Sequence, residues 1–254
     1  MFIDTHTHLH FEDYDQDRDK VIERAVDSNV KRIISLGIDY SSSLKTVEIS
    51  GKYEQVFAAV GIHPSEAHLA SKEDYQKIRA FVEQESKIVA IGEIGLDFYW
   101  DTSHADKQYS NFREMLRLAK QVKLPVVIHN RKAHREMEWF FQEEGILELD
   151  GVMHCFSGDI EDAKFYLDMG LHISYTGNIT YPDFRKINVV KFIPLDRILL
   201  ETDSPYMTPE AFRKKRNEPA YVPYVAEKLA SLHNKPVDEI AQITTDNAKR
   251  LFGL

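Results

Sequence analysis

With 254 residues, 43% of them hydrophobic, the chain can bury a large core, and one domain over 1–254 is expected. Its 32 basic against 41 acidic residues leave a net charge of −9, which excludes a protein that coats long nucleic acid non-specifically; any nucleic acid must be gripped locally. A single cysteine, Cys155, excludes an internal disulfide framework.

The chain opens on MFIDTHTHLH, a β-rich run with neither the basic segment nor the apolar h-region of a secretory signal. No window approaches membrane-spanning length, so a cytoplasmic protein with no membrane partner is expected. Strands are predicted at 2–6, 31–37, 56–61, 87–93, 124–129, 150–154, 171–175 and 197–202, with amphipathic stretches between them. In 106–122, Tyr109, Phe112, Leu116 and Ala119 recur at helical spacing. Asp159 is placed to cap a helix over 160–169 and Gly170 to end it. The tail, 222–254, reads as two helices packed outside the sheet. Eight strands alternating with helices predict a parallel sheet closed into a (β/α)8 TIM barrel.

The polar residues fall at the strand ends. His6 and His8 share a parity at the end of the first strand, so their imidazoles face one spot. His63 follows the third strand, Glu93 the fourth, His129 the fifth, His154 the sixth and Asp203 the eighth. In a parallel barrel all of these lie on the face that carries active sites. Imidazole and carboxylate are the ligands of a catalytic divalent metal, and this set exceeds what one ion requires. Two ions sharing Glu93 as a bridge would use the surplus. His6, His8 and Asp203 would hold one, His129 and His154 the other. The donor set accepts Mg, Mn or Zn alike. Such a site generates a hydroxide nucleophile near neutral pH, with Glu93 and Asp203 as the catalytic carboxylates and Asp203 placed to accept the proton of the attacking water.

DTHTH, GIHP, GEIGLD, IHNR, HCFSG, ETDSPY and the terminal NAKRLFGL, in this order from residue 4 to the C-terminus, resemble the TatD family of metal-dependent hydrolases. The resemblance implies a TIM barrel, a divalent-metal site, and deoxyribonuclease activity, often exonucleolytic on single-stranded DNA. By motif, His6, His8, Glu93, His129, His154 and Asp203 match the family's ligand positions. One departure is Asn130, where a serine often follows the histidine, and an altered substrate contact is expected there.

For substrate, DNA strand ends are the expected partner, and no stable protein partner is implied. His63 at the mouth is a candidate phosphate donor, and Arg131 directly follows His129. The run FRKKRNEP supplies Arg213, Lys214, Lys215 and Arg216, the densest basic cluster in an acidic chain; arginine suits bidentate phosphate contact. Tyr99 and Trp100 read more readily as packing residues than as base platforms, and Cys155 as a small core residue. His10, His68, His104, His134, His172 and His233 read as structural. Two competing readings keep the same site: a metal-dependent ester or amide hydrolase such as an aminoacyl-ester deacylase, and a non-catalytic metal-binding scaffold.

Overall fold

A computed structural model describes residues 1–99 and 102–254; Trp100 lies outside the described residues. Eight parallel strands are hydrogen-bonded in sequence order: β1 (Phe2–Thr7), β2 (Val30–Leu36), β3 (Val56–Val60), β4 (Ile88–Asp97), β5 (Val126–Arg131), β6 (Gly151–Met153), β7 (His172–Tyr175) and β8 (Ile198–Leu200). The ring closes just beyond β8. The Asp203 N–H donates to the His6 carbonyl, and the His8 N–H to the Ser204 carbonyl, each at 2.8 Å. Closure therefore joins residues nearly two hundred positions apart, and it sets Asp203 beside the two histidines of β1.

Among the described residues the crossover and C-terminal helices are α1 (Arg18–Asp27), α2 (Tyr40–Lys52), α3 (Lys72–Gln84), α4 (Ala105–Val122), α5 (His134–Glu143), α6 (Ile160–Asp168), α7 (Ile187–Phe192), α8 (Val222–His233) and α9 (Val237–Phe252). Local chemistry explains their ends. The Asp159 carboxylate accepts from the N–H groups of Glu161 and Asp162, a capping box, and Gly170 leaves α6 at φ +90°. Phe112, Leu116 and Ala119 are buried along α4 as the spacing predicts, with Tyr109 half-buried. The tail forms α8 and α9.

Ile3, Ile34, Ala59, Val89, Val127, Val152 and Leu199 pack together, one from each of seven strands. Only the inside of a barrel brings all of those strands to one cluster. A second, larger apolar cluster fills the layer between strands and helices, so strands are covered on both sides and β1 is buried throughout.

The fourth strand departs from expectation. It runs to Asp97, because Ile94 to Asp97 pair in register with Ile128 to Arg131 of β5, so Glu93 sits within the strand rather than at its end. Gly95 permits this pairing. Its φ is +140°, and a Cβ there would meet the His129 carbonyl oxygen at 2.0 Å. The sixth and eighth strands stop short of the expected 154 and 202, since the residues after Met153 and Leu200 turn toward the barrel mouth.

Candidate metal centre

The mouth of the barrel gathers His6, His8, Glu93, His129, His154 and Asp203 around one carboxylate. Glu93 divides the group. Its Oε2 lies 3.3 Å from His6 Nε2 and 3.5 Å from His8 Nε2; its Oε1 lies 2.7 Å from both His129 Nδ1 and His154 Nε2. Asp203 completes the first half, with Oδ1 3.7 Å from His6 Nε2 and 3.5 Å from His8 Nε2. Within the halves, His6 and His8 Nε2 are 3.2 Å apart, and His129 Nδ1 and His154 Nε2 3.0 Å.

This donor set fits divalent cations. His8 Nδ1 lies 3.1 Å from the Leu36 carbonyl, an acceptor, so Nδ1 carries the proton and the Nε2 lone pair faces the cluster. The His8 lone pair and the carboxylate oxygens of Glu93 and Asp203 thus converge, an arrangement that positive charge stabilises. The separations suit an ion bound at about 2.1 Å, whose neighbouring ligands stand about 3.0 Å apart at a right angle and about 3.4 Å at the tetrahedral angle. Three groups of at least three donors can be drawn in the described residues: His6, His8 and Asp203; His6, Glu93 and His154; and His63, Asp97 and His129.

The electrostatics agree. Burial opposes ionisation of Glu93, but His154, His6, His63 and the hydrogen bond with His129 outweigh it and hold the carboxyl well below its usual range. Burial likewise opposes ionisation of Asp203, and the contact with His8 overrides it and lowers the carboxyl. Burial would depress His154, yet Glu93 and Glu201 push it well above the ordinary histidine value; Asp203 and Glu93 raise His8 in the same way. His6 is lowered by burial and by His154. Backbone turns serve the same end: Cys155 and Asp203 adopt φ of +44° and +53°, uncommon for residues with a side chain, where the chain leaves β6 and β8.

Two carboxylates at the site escape motif spacing alone. Asp97 Oδ2 stands 3.1 Å from His129 Nε2, so both ring nitrogens of His129 face carboxylates. Its signal was the parity of GEIGLD, in which residues 93, 95 and 97 share a side. Glu201, in ETDSPY, is buried and accepts from the Cys155 N–H and the Ser174 hydroxyl, each at 2.6 Å, with Oε1 3.6 Å from His154 Nδ1.

The candidate substrate residues fare differently. The Ser65 N–H donates to His63 Nδ1, which leaves the proton of neutral His63 on Nε2, 3.6 Å from Glu93 Oε1; burial and His129 push this imidazole down to about 3. Arg131 is exposed at the end of β5, with its guanidinium 3.7 Å over the Tyr99 ring, so Tyr99 packs against that arginine. Arg213 lies over Tyr181 and pairs with Glu210 at 3.0 Å. Arg216 pairs with Asp17 at 2.8 Å and covers Tyr14, which ties this loop to the segment before α1. Asn130 corrects an expectation. It points away from the mouth and donates to the Tyr166 hydroxyl at 3.0 Å, because it follows the inward-facing His129 by one residue of strand. Burial, with Asp203 and Glu201, raises the Cys155 thiol well above its ordinary value, so it stays protonated.

A family model for TatD-related DNases matches residues 3–253. The chain belongs to the TatD family. It is 46% identical over 253 residues to the uncharacterized metal-dependent hydrolase YabD of Bacillus subtilis, covering 99% of each chain. It is 33% identical over 255 residues to the 3'-5' ssDNA/RNA exonuclease TatD of Rahnella, covering 95% of this chain and 94% of that one. The crystal structure of YjjV, a TatD homologue from Escherichia coli K12, superposes with a TM-score of 0.93 at 32% identity, covering 100% of this chain and 98% of that chain. As a TatD-family protein the chain is a metal-dependent hydrolase with a TIM-barrel fold.

Proposed function

We propose that this protein is a two-metal deoxyribonuclease that shortens single-stranded DNA from an end. The observation that carries the reading is Glu93, whose two oxygens each face a separate pair of imidazoles, as a carboxylate shared by two cations requires. His6, His8 and Asp203 would hold one divalent ion, His129 and His154 the other, with Glu93 between them and Mg, Mn or Zn as candidate ions. Bound there, the ions would supply a water acidified toward neutrality and positive charge for the attacked phosphate.

The chain's own groups supply the rest. Asp203 is held ionised and is the most open member of its half of the cluster, so its carboxylate is the proton acceptor for the attacking water. His63, neutral with its Nε2–H at the mouth, donates to a phosphate oxygen. Arg131, at the end of β5 beside His129, would meet a phosphate of the bound strand, whereas Arg213 is engaged by Glu210 and Arg216 by Asp17. An end-gripping nuclease also suits the acidic body of the chain. The relative from Rahnella, a 3'-5' ssDNA/RNA exonuclease by name, supports the substrate class.

The test is a time course on short single-stranded DNA labelled at either end, using metal-free protein reloaded with Mg, Mn or Zn. Stepwise metal-dependent shortening is expected, and the two labels give its direction. Hydrolysis of carboxylic esters or amides without any shortening would overturn the reading in favour of the ester or amide hydrolase.

A further inference from the structure

The wall of the mouth beside the donor cluster is aromatic. Phe11, three residues after His8, lies nearly parallel to the His8 imidazole, with centroids 5.1 Å apart and planes 17° apart. Tyr206, three residues after Asp203, meets Phe11 edge-on at 6.0 Å. Tyr206 is 58% exposed, so the fold places a large ring in water directly beside its most buried polar cluster. Neither ring is needed to complete the donor set.

Between these rings and the start of α2 lies a wide, open cleft of about 510 Å³. Its rim carries the exposed Glu12 and Asp13, with Asp39 capping α2 through Ser42. The nearby cations are engaged, Lys45 by Asp15 at 3.2 Å and Arg216 by Asp17 at 2.8 Å. The cleft thus offers flat apolar surface next to the hydrolytic centre and negative charge farther out. A phosphate is unwelcome at such a rim; an uncharged, planar group is not.

We infer that this cleft receives the terminal nucleoside of the strand being cut, with its base against Tyr206 and Phe11 and the scissile phosphate at the donor cluster. The inference rests on the nuclease reading and deepens it, because it explains why cutting would occur at an end. The base of the outgoing unit is held by stacking, which tolerates every base. A chain continuing past that unit would carry its next phosphate toward Glu12 and Asp13, and like charges repel it.

The test uses the metal-loaded protein and two short single strands that differ only in whether the terminal unit carries a base or is abasic. Wild type is expected to release the unit with a base about tenfold faster or more, the scale of one base–aromatic contact. Tyr206→Phe should keep that preference. Tyr206→Ala should shrink it by at least about threefold, slowing release of the unit with a base more than release of the abasic one, a pattern that a folding defect would not produce. A third strand bearing a phosphate on the outgoing unit should be trimmed slowly by wild type and less slowly by the E12Q/D13N variant. Equal release of both ends by wild type, an unchanged preference in Tyr206→Ala, or equal slowing by the terminal phosphate in wild type and E12Q/D13N would overturn the inference while leaving the nuclease reading intact. No shortening of any strand would overturn both.

Discussion

His154 and His172 are both buried, and they stand at opposite ends of neighbouring strands, His154 just past the end of β6 and His172 at the start of β7. Their surroundings push them in opposite directions. At the mouth, Glu93 and Glu201 overcome burial and raise His154 well above its ordinary value. At the other end, burial acts with the nearby Arg197 and Arg250 and lowers His172 to about 4. The same side chain is therefore drawn toward carboxylates at one end and packed away from them beside arginines at the other. The difference marks the C-terminal ends of the strands as the place where carboxylates gather around imidazoles among the described residues.

The strongest way to break the contrast is to remove the shared carboxylate. Glu93→Ala is expected to lower DNA shortening by more than about 10³-fold, the scale of losing a major electrostatic group from an active site. It should also lower bound metal, read by elemental analysis of the purified protein. Retention of both the ions and the activity would sink the bridging role.

A smaller effect should follow from Asp97→Asn, which leaves every proposed ligand in place but removes the charge beside His129 Nε2. Losses of about 10- to 100-fold in metal affinity or rate are typical when the partner of a ligating histidine is changed. Excess metal should restore part of the rate. Insensitivity to added metal would mean that Asp97 acts on substrate instead.

The mildest test lies at the far end of the barrel. His172 has a folded-state value below its unfolded value near 6.5, so the unfolded chain binds more protons between about 6.5 and about 4. Its contribution to stability is therefore complete above about 6.5 and is lost as pH falls through that window. Urea midpoints at pH 7.5 and 5 should fall less between the two conditions in His172→Asn than in wild type. An equal fall in both would assign the acid sensitivity to other groups, with His10, lowered to about 3 by burial and by His8, the first to examine.

The alternation of eight apolar runs with helical stretches was enough to anticipate the strand order, the helices of the tail and the cap at Asp159, because each depends on neighbours in sequence. Six of the donors were legible for a related reason: every second residue of a strand faces one side, and parallel strands put their C-terminal ends on one face. Tertiary packing decided the rest. Asp97 became part of the site only when β4 extended past Glu93 to pair with β5, and that extension needed the close approach at Gly95. Asn130 turned outward to Tyr166, and Arg216 was drawn to Asp17 and Tyr14, contacts between segments far apart in the chain.

Thus the sequence by itself determined which residues could bind cations and on which end of a barrel they would lie, since strand parity and polarity are local properties of the backbone. Ring closure alone decided that Asp203 meets His6 and His8, that Glu93 turns one oxygen to each pair of imidazoles, and that Phe11 and Tyr206 wall one cleft. Those are distances between side chains brought in by different strands, and nothing local to any one segment specifies them.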